Sequence, residues 1–453
     1  MKLTLPLISN LLFALVSIVF CIIAPNRLDV SFCQIVAATY ILHNIMYFWL
    51  LERENWLGFE IFFCIAFFFI NFLYPTFIYP IAPNYTYFDM AFNSDLVSKA
   101  TTIAYLGYAF YLLGCTSFKS EKQEEPTPPT FEITGNQVAI LFIMAVVSFG
   151  GYVVTGGLAA MKDVYANYES ANEVGVYSYF MSLFVFSSYL LAIFAFQLHS
   201  WVKWLYVASL VVFMGLMLST GSRTLAMGVG LILIVSFNNN IRRFRLYELL
   251  ILMAAGVILL YFVVINRSSD VSQDVASNVD SDDLGWIGIF FDLIINNRNL
   301  YVLVDYAEAH SYTYFQGILI DLLAPIPGSA GILIKLTGQP MELLHGGMLP
   351  TFLQLGADST WGLGTNMIGE VYRSFGYPGT ALIMFGIGHL IKTSYYRGRT
   401  NKYWYLLYFL FISHAIMYGR SPFIMDLRRI TWAMAMLYVI CLPVKFVFKK
   451  KHI

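Results

Sequence analysis

NRSSDVSQDVASNVDSDDLGWIGIFFDLIINNRNLYVLVDYAEAH, residues 266–310, opens the one long run in this chain that departs from an otherwise apolar text. The run continues to Pro378 and carries Arg267, Arg298, Arg373, His310, His345 and twelve Asp or Glu residues. Its texture changes along the way. Residues 268–283 are acidic and serine-rich and read as solvated. Residues 284–309 read as a helix in which Asp292, Arg298, Asp305 and Glu308 interrupt Ile, Leu and Phe. Residues 318–334 are apolar but broken by Pro325, Pro327 and Gly328. A run that short and broken predicts a re-entrant or interfacial segment, not a crossing. Residues 350–379 close the loop with Asp358, Trp361, Gly362, Gly364, Glu370 and Arg373.

Outward from this loop, nearly everything reads as membrane helix. Of 453 residues, 58% are hydrophobic and 12% charged, and the mean hydropathy is +0.67. A soluble domain carries about a quarter charged residues. Twelve stretches have roughly the 20 apolar residues that a crossing needs: 5–24, 31–51, 57–81, 100–118, 137–155, 176–197, 202–220, 225–237, 246–265, 379–396, 403–419 and 431–448. Backbone groups in lipid must be satisfied internally, so the expectation is an all-α polytopic bundle. The chain divides into N-terminal helices (1–118), a Pro-rich cytoplasmic linker (119–134), central helices (135–265), the loop (266–378) and C-terminal helices (379–453).

The cations set the orientation. With both termini cytoplasmic, Arg53, Lys119, Lys122, Lys203, Arg242, Arg243, Arg245, Arg397, Arg399, Lys402 and the 449–451 lysines all face inward, as positive-inside topology requires. The large loop then faces outward, into the periplasm of a bacterium. No repeat is visible, which argues against a transporter. The first apolar run lacks a small-residue cleavage site and reads as a retained helix. Cys21 and Cys33 are near enough to meet across a hairpin, but all five cysteines lie in or beside apolar stretches and read as buried thiols.

Four arginines stand where helices meet the outer face or within the loop's end: Arg223, Arg267, Arg420 and Arg373. Guanidinium forks match phosphate oxygens. The candidate pyrophosphate-binding set is therefore Arg223, Arg267, Arg373 and Arg420, set against the bland alternative of snorkelling side chains. Candidate bases are His310, His345, Asp292, Asp305, Glu308, Asp358 and Glu370, any of which suits deprotonation of a hydroxyl. The catalytic set taken forward is Arg298, Glu370, His345 and Asp292. Asp280-Ser281-Asp282-Asp283 has the look of a nucleotide-sugar metal motif. It falls in a solvated outer segment, where nucleotide sugars are scarce, so neither metal nor cofactor is expected. Gly362-Leu363-Gly364-Thr365-Asn366 lacks the strand-to-helix setting of a dinucleotide loop and reads as a tight turn into a helix. Tyr301, Tyr306, Tyr312, Tyr314 and Phe315 crowd one part of the loop and suit either a sugar chain or ordinary packing.

Three places carry a family resemblance: Ser219-Thr220-Gly221-Ser222-Arg223-Thr224; Asn297-Arg298-Asn299-Leu300-Tyr301 with Pro325-Ile326-Pro327-Gly328; and Gly362 through Gly379. With the architecture, they make the chain resemble the Wzy-type O-antigen polymerases. The resemblance implies a membrane-embedded glycosyltransferase, similar in class to the GT-C-like enzymes, in the bacterial inner membrane. It would take polyprenyl-pyrophosphate-linked oligosaccharides as donor and acceptor, with membrane lipids and a chain-length regulator as further partners and no nucleic acid. It also points to Arg223, Arg298 and Arg373 as functional residues. An O-antigen ligase-like enzyme and a lipid-linked oligosaccharide flippase are the alternatives. A flippase would line its crossings with charge and keep its outer loops short.

Overall fold

The computed structural model describes residues 4–51, 57–81, 92–117, 129, 131–157, 176–219, 223–245, 247–249, 251–252, 256, 291–356, 359, 362–424 and 427–442. Every regular element among them is helical. The apolar stretches give α1 (Leu5–Ile23), α2 (Val30–Leu50), α3 (Phe59–Asn71), α4 (Val97–Thr116), α5 (Gly135–Val154), α6 (Val176–Phe194), α7 (Val202–Ser219) and α8 (Arg223–Asn240). The loop gives α9 (Phe291–His310), α10 (Leu319–Leu323), α11 (Ser329–Thr337), α12 (Met341–Leu344) and α13 (Leu349–Leu355). Then follow α14 (Met367–Arg397), α15 (Lys402–His414) and α16 (Leu427–Ile440).

The chain is a polytopic, all-helical membrane protein. Among the described residues, five helical spans are long and apolar enough to cross a bilayer, and a sixth is counted if a bent pair is taken as one. The spans differ in depth: 78% of the 94–116 window and 67% of the 176–197 window are buried, against 33% for α1 and 28% for α5. Helices α4 and α6 are therefore central, while α1 and α5 turn most of their surface to lipid. Starts are fixed by short polar side chains. Asp29 accepts from the N–H of Phe32 at α2, Thr134 and Gln137 form a capping box at α5, and Asn401 caps α15.

One expected crossing, 57–81, is not a straight helix. Helix α3 stops at Asn71, a π-helical turn covers Tyr74–Ile78, and the two parts meet at 50°. Pro75 supplies no N–H at the break, and Asn297 Nδ2 donates to the carbonyls of Phe69 and Ile70 there. The second irregularity is in α14, which starts twelve residues before the expected crossing at Gly379. Gly376, at φ 65° and ψ −161°, reverses the chain between a first arm (367–375) and the long apolar helix beyond. With Pro378 lacking an N–H, the arm's last carbonyls need other donors. Thr313 N–H donates to Arg373 O (3.1 Å) and Tyr314 N–H to Ser374 O (2.8 Å). Loop and arm are thereby stitched together.

Candidate functional site

A network of buried amides fixes the frame. Asn366 caps α14, accepting from the N–H groups of Ile368 and Gly369. Its Nδ2 donates to Asn71 Oδ1 (2.9 Å) and to Asn296 O (3.1 Å). Asn299 Nδ2 donates to Asn296 Oδ1 and to Leu363 O, and Gln354 Nε2 donates to Asn299 Oδ1 (3.1 Å). The break in α3, helix α9, helix α13 and the 362–366 segment are locked together by groups that water does not reach. Residues 362–366 lead directly into α14 as expected, without a regular turn, and Gly364 takes the left-handed φ of 71° that favours glycine.

On this frame the first arm of α14 presents Glu370 and Arg373, three residues apart and so on one helix face. Both are fully buried. Glu370 Oε2 accepts from the N–H of Phe423 (2.9 Å), whereas Oε1 has no hydrogen-bond partner. A Cβ added at Gly346 would lie 1.4 Å from that oxygen, so the glycine backbone lies flush against the carboxyl. Arg373 Nη2 donates to Gly317 O (3.1 Å), leaving Nε and Nη1 without partners. A buried polar group without a partner costs roughly 1–3 kcal/mol, and more when charged. Two such groups one turn apart, each faced by a glycine, form a buried polar cradle with hydrogen-bonding capacity left over.

Asp321 and His345 complete it. Asp321 Oδ2 accepts from Gly346 N–H (3.2 Å), and Oδ1 stands 3.6 Å from His345 Nδ1. The two contacts at His345 conflict if both are read as bonds. Gly347 N–H donates to the same Nδ1 at 2.9 Å, which makes that nitrogen an acceptor and puts the ring proton on Nε2. The N–H bond is the shorter, so Asp321 is a polar neighbour and not an ion partner. Burial, then Asp321, pushes the Glu370 carboxyl up to about 8, against the opposing pull of Arg373 and the Phe423 N–H. Burial also lowers Arg373 from its ordinary value.

Of the eight residues singled out in the sequence, the structure gathers three, Glu370, Arg373 and His345, while Arg420 lies in the turn preceding Phe423 with its guanidinium next to Gly364. Arg298 is buried but lies beside Tyr74 in the bent segment, and desolvation lowers it to about 10. Arg223 opens α8 and Asp292 lies in the first turn of α9. Their side chains, like Arg267, Asp358 and residues 280–283, lie outside the described residues. The remaining candidate bases are engaged elsewhere. Asp305 accepts from Asn93 (3.1 Å), Glu308 pairs with Lys99, and exposed His310 stacks on Tyr306. Of the loop aromatics, Tyr301 is buried against Phe92, Tyr312 packs on Tyr372 and Phe315 on Phe375. Sequence reasoning missed Asp321 and Gly346. The available signal was a lone carboxylate inside an apolar, proline-broken run. Among the described residues, no group of three or more His, Cys, Asp or Glu could hold a metal.

The fold is that of a helical multi-pass membrane protein with a buried carboxyl and a buried guanidinium, Glu370 and Arg373, one turn apart in its loop-side arm. The family model for O-antigen polysaccharide polymerase Wzy matches residues 7–452, and the chain belongs to that family. Its activity is the polymerisation of lipid-linked oligosaccharide repeat units into O-antigen polysaccharide. No relative was found among curated proteins, and no solved structure matched.

Proposed function

We propose that the cradle around Glu370 is where one repeat unit is joined to the next, at the periplasmic face of a bacterial inner membrane, in a chain of twelve crossings with both termini cytoplasmic. The donor is a glycan on polyprenyl pyrophosphate. Glu370 takes the proton from an acceptor sugar hydroxyl, and the oxygen attacks the anomeric carbon of the donor. The bond from that carbon to the phosphate oxygen breaks, and polyprenyl pyrophosphate leaves with the electron pair. Arg373 and Arg420 neutralise the charge that develops there. Arg298, with Arg223 and Arg267, is a second hold for lipid pyrophosphate. His345, with Nδ1 occupied, donates a hydrogen bond from Nε2 and is not the base. Asp292 remains an alternative base.

The observation that carries this reading is the fully buried Glu370 Oε1, without a partner, one turn from two unpartnered nitrogens of Arg373. The test is a surface-glycan gel from a deletion strain complemented with variants matched for membrane abundance. E370Q and R373A are expected to leave a single capped repeat unit where wild type gives a ladder. Long ladders from both would remove the cradle from the mechanism.

A further inference from the structure

Residues 322–341 leave the cradle and return to it. The excursion departs at Asp321 and comes back at His345, whose side chains stand 3.6 Å apart. In between, α10 and α11 fold on each other, pinned by Ser329 Oγ donating to Leu323 O (2.8 Å). Gly328 (φ 78°) and Gly338 (φ 64°) bracket α11.

The hairpin is apolar, yet the protein barely covers it. Ser329 is the one buried residue of α11, while Ile332 is 58% and Leu336 78% exposed. Leu322, Leu323 and Ile326 are exposed as well. Nine residues rise only about 14 Å, too short to cross a bilayer. Exposed apolar side chains in this number need an occupant.

We infer that the hairpin is seated in the bilayer leaflet on the site's side, as a monotopic anchor that holds the cradle at the membrane surface. Two observations favour lipid over protein. Helix α10 touches α16, whose Trp432, Tyr438 and Val439 are themselves exposed, so the hairpin continues an exposed apolar surface of the bundle. Between Asp321 and Glu342 the single charged side chain is Lys335, in the last turn of α11, which suits lipid phosphates and offers an acidic partner nothing to exclude. The functional consequence, a cradle held level with lipid-linked substrates, rests on the function proposed above.

The experiment uses the full chain in nanodiscs of phosphatidylethanolamine and phosphatidylglycerol, with the five native cysteines replaced and polymerisation retained. Spin labels go on I332C, L336C and, as the aqueous control, T400C, in the exposed turn between α14 and α15. Relaxation is measured with oxygen, which partitions into lipid, and with a water-soluble nickel chelate. Oxygen is expected to dominate severalfold at 332 and 336, and nickel at 400. Nickel dominating at 332 and 336 would overturn the inference. So would shielding from both reagents, with or without the spin–spin broadening of a second copy, since protein would then be the cover. I332D with L336D is expected to shorten the glycan ladder while I332L with L336I leaves it unchanged, and a full ladder from the aspartates would overturn the anchor. The relaxation pattern needs no turnover, so it fails or succeeds independently of the cradle's chemistry.

Discussion

At Glu370, burial and the neighbouring Asp321 keep a carboxyl neutral across most of the physiological range. The folded chain therefore holds a proton that the unfolded chain releases at the ordinary glutamate value. The resulting stability is fully present in acid and is lost as pH rises through about 8. Thermal unfolding in detergent should show wild type losing stability between about pH 4.5 and 8 and levelling off above, with E370Q flatter over the same window. As a base, the ionised form does the work, so polymerisation rate should climb toward a plateau above about 8. A rate that fell along that limb would make Glu370 an acid. Gly346 gives a sharper test. Its alanine variant pushes a methyl into Oε1, and a misplacement of about 1 Å costs on the order of 100-fold in rate. G331A, with nothing within 4 Å of the new methyl, should behave as wild type. Glu370 and Arg373 were legible only as one candidate base among seven and one arginine among several in the charged loop. Asp321 stood out only as a lone carboxylate in an apolar run, which names no partner, and the fold alone brings it to Gly346 from 25 residues away.

Among the described elements, hydropathy located the apolar helices but not their interruptions, and the expected crossing 246–265 lies mostly outside the described residues. Residues 57–81 read as one crossing because Phe, Tyr and Ile continue through the break, and the 50° bend depends on Asn297, which arrives from far along the chain. The reversal at Gly376 was likewise hidden, since a Gly-Tyr-Pro sequence fits an ordinary helix start equally well. The short, broken 318–334 run, by contrast, announced α10 and α11, because proline and glycine act locally. Close packing of α4 on α14 also depends on partners that no local pattern shows. A Cβ at Gly388 would stand 2.1 Å from Tyr111 O, and one at Gly114 would stand 2.1 Å from Phe385 O. Small residues that let membrane helices touch backbone to backbone are a main source of their association. G388V should force the pair apart, costing roughly 1–3 kcal/mol and lowering the folded yield by fluorescence size-exclusion. G386A, facing open space on the same helix, should elute as wild type.

For the molecule as a whole, the sequence suggested segments and the structure shows how they are fastened. The first 116 residues are tied to the last hundred by Asn366 on Asn71, by the Phe59 N–H on Tyr408 Oη, and by Lys392 on Glu60. That last contact, 2.9 Å between side chains 10% and 4% exposed, joins α14 to α3 across 332 positions. Composition gave no hint of it, because one acid and one base in separate apolar runs look like isolated defects. Lys392 also lies over the rings of Tyr395 and Tyr396, so its charge has further support. Taking one partner away leaves a charge buried in a low-dielectric bundle. K392M should therefore destabilise the protein by about 3–5 kcal/mol, while removing both charges is often close to neutral. Thermal unfolding in one detergent should rank wild type and E60Q/K392M together, with K392M well below. If the single and double variants fell equally, the loss would come from packing around the lysine stem, and the fastening of α3 to α14 would rest on shape and not on charge.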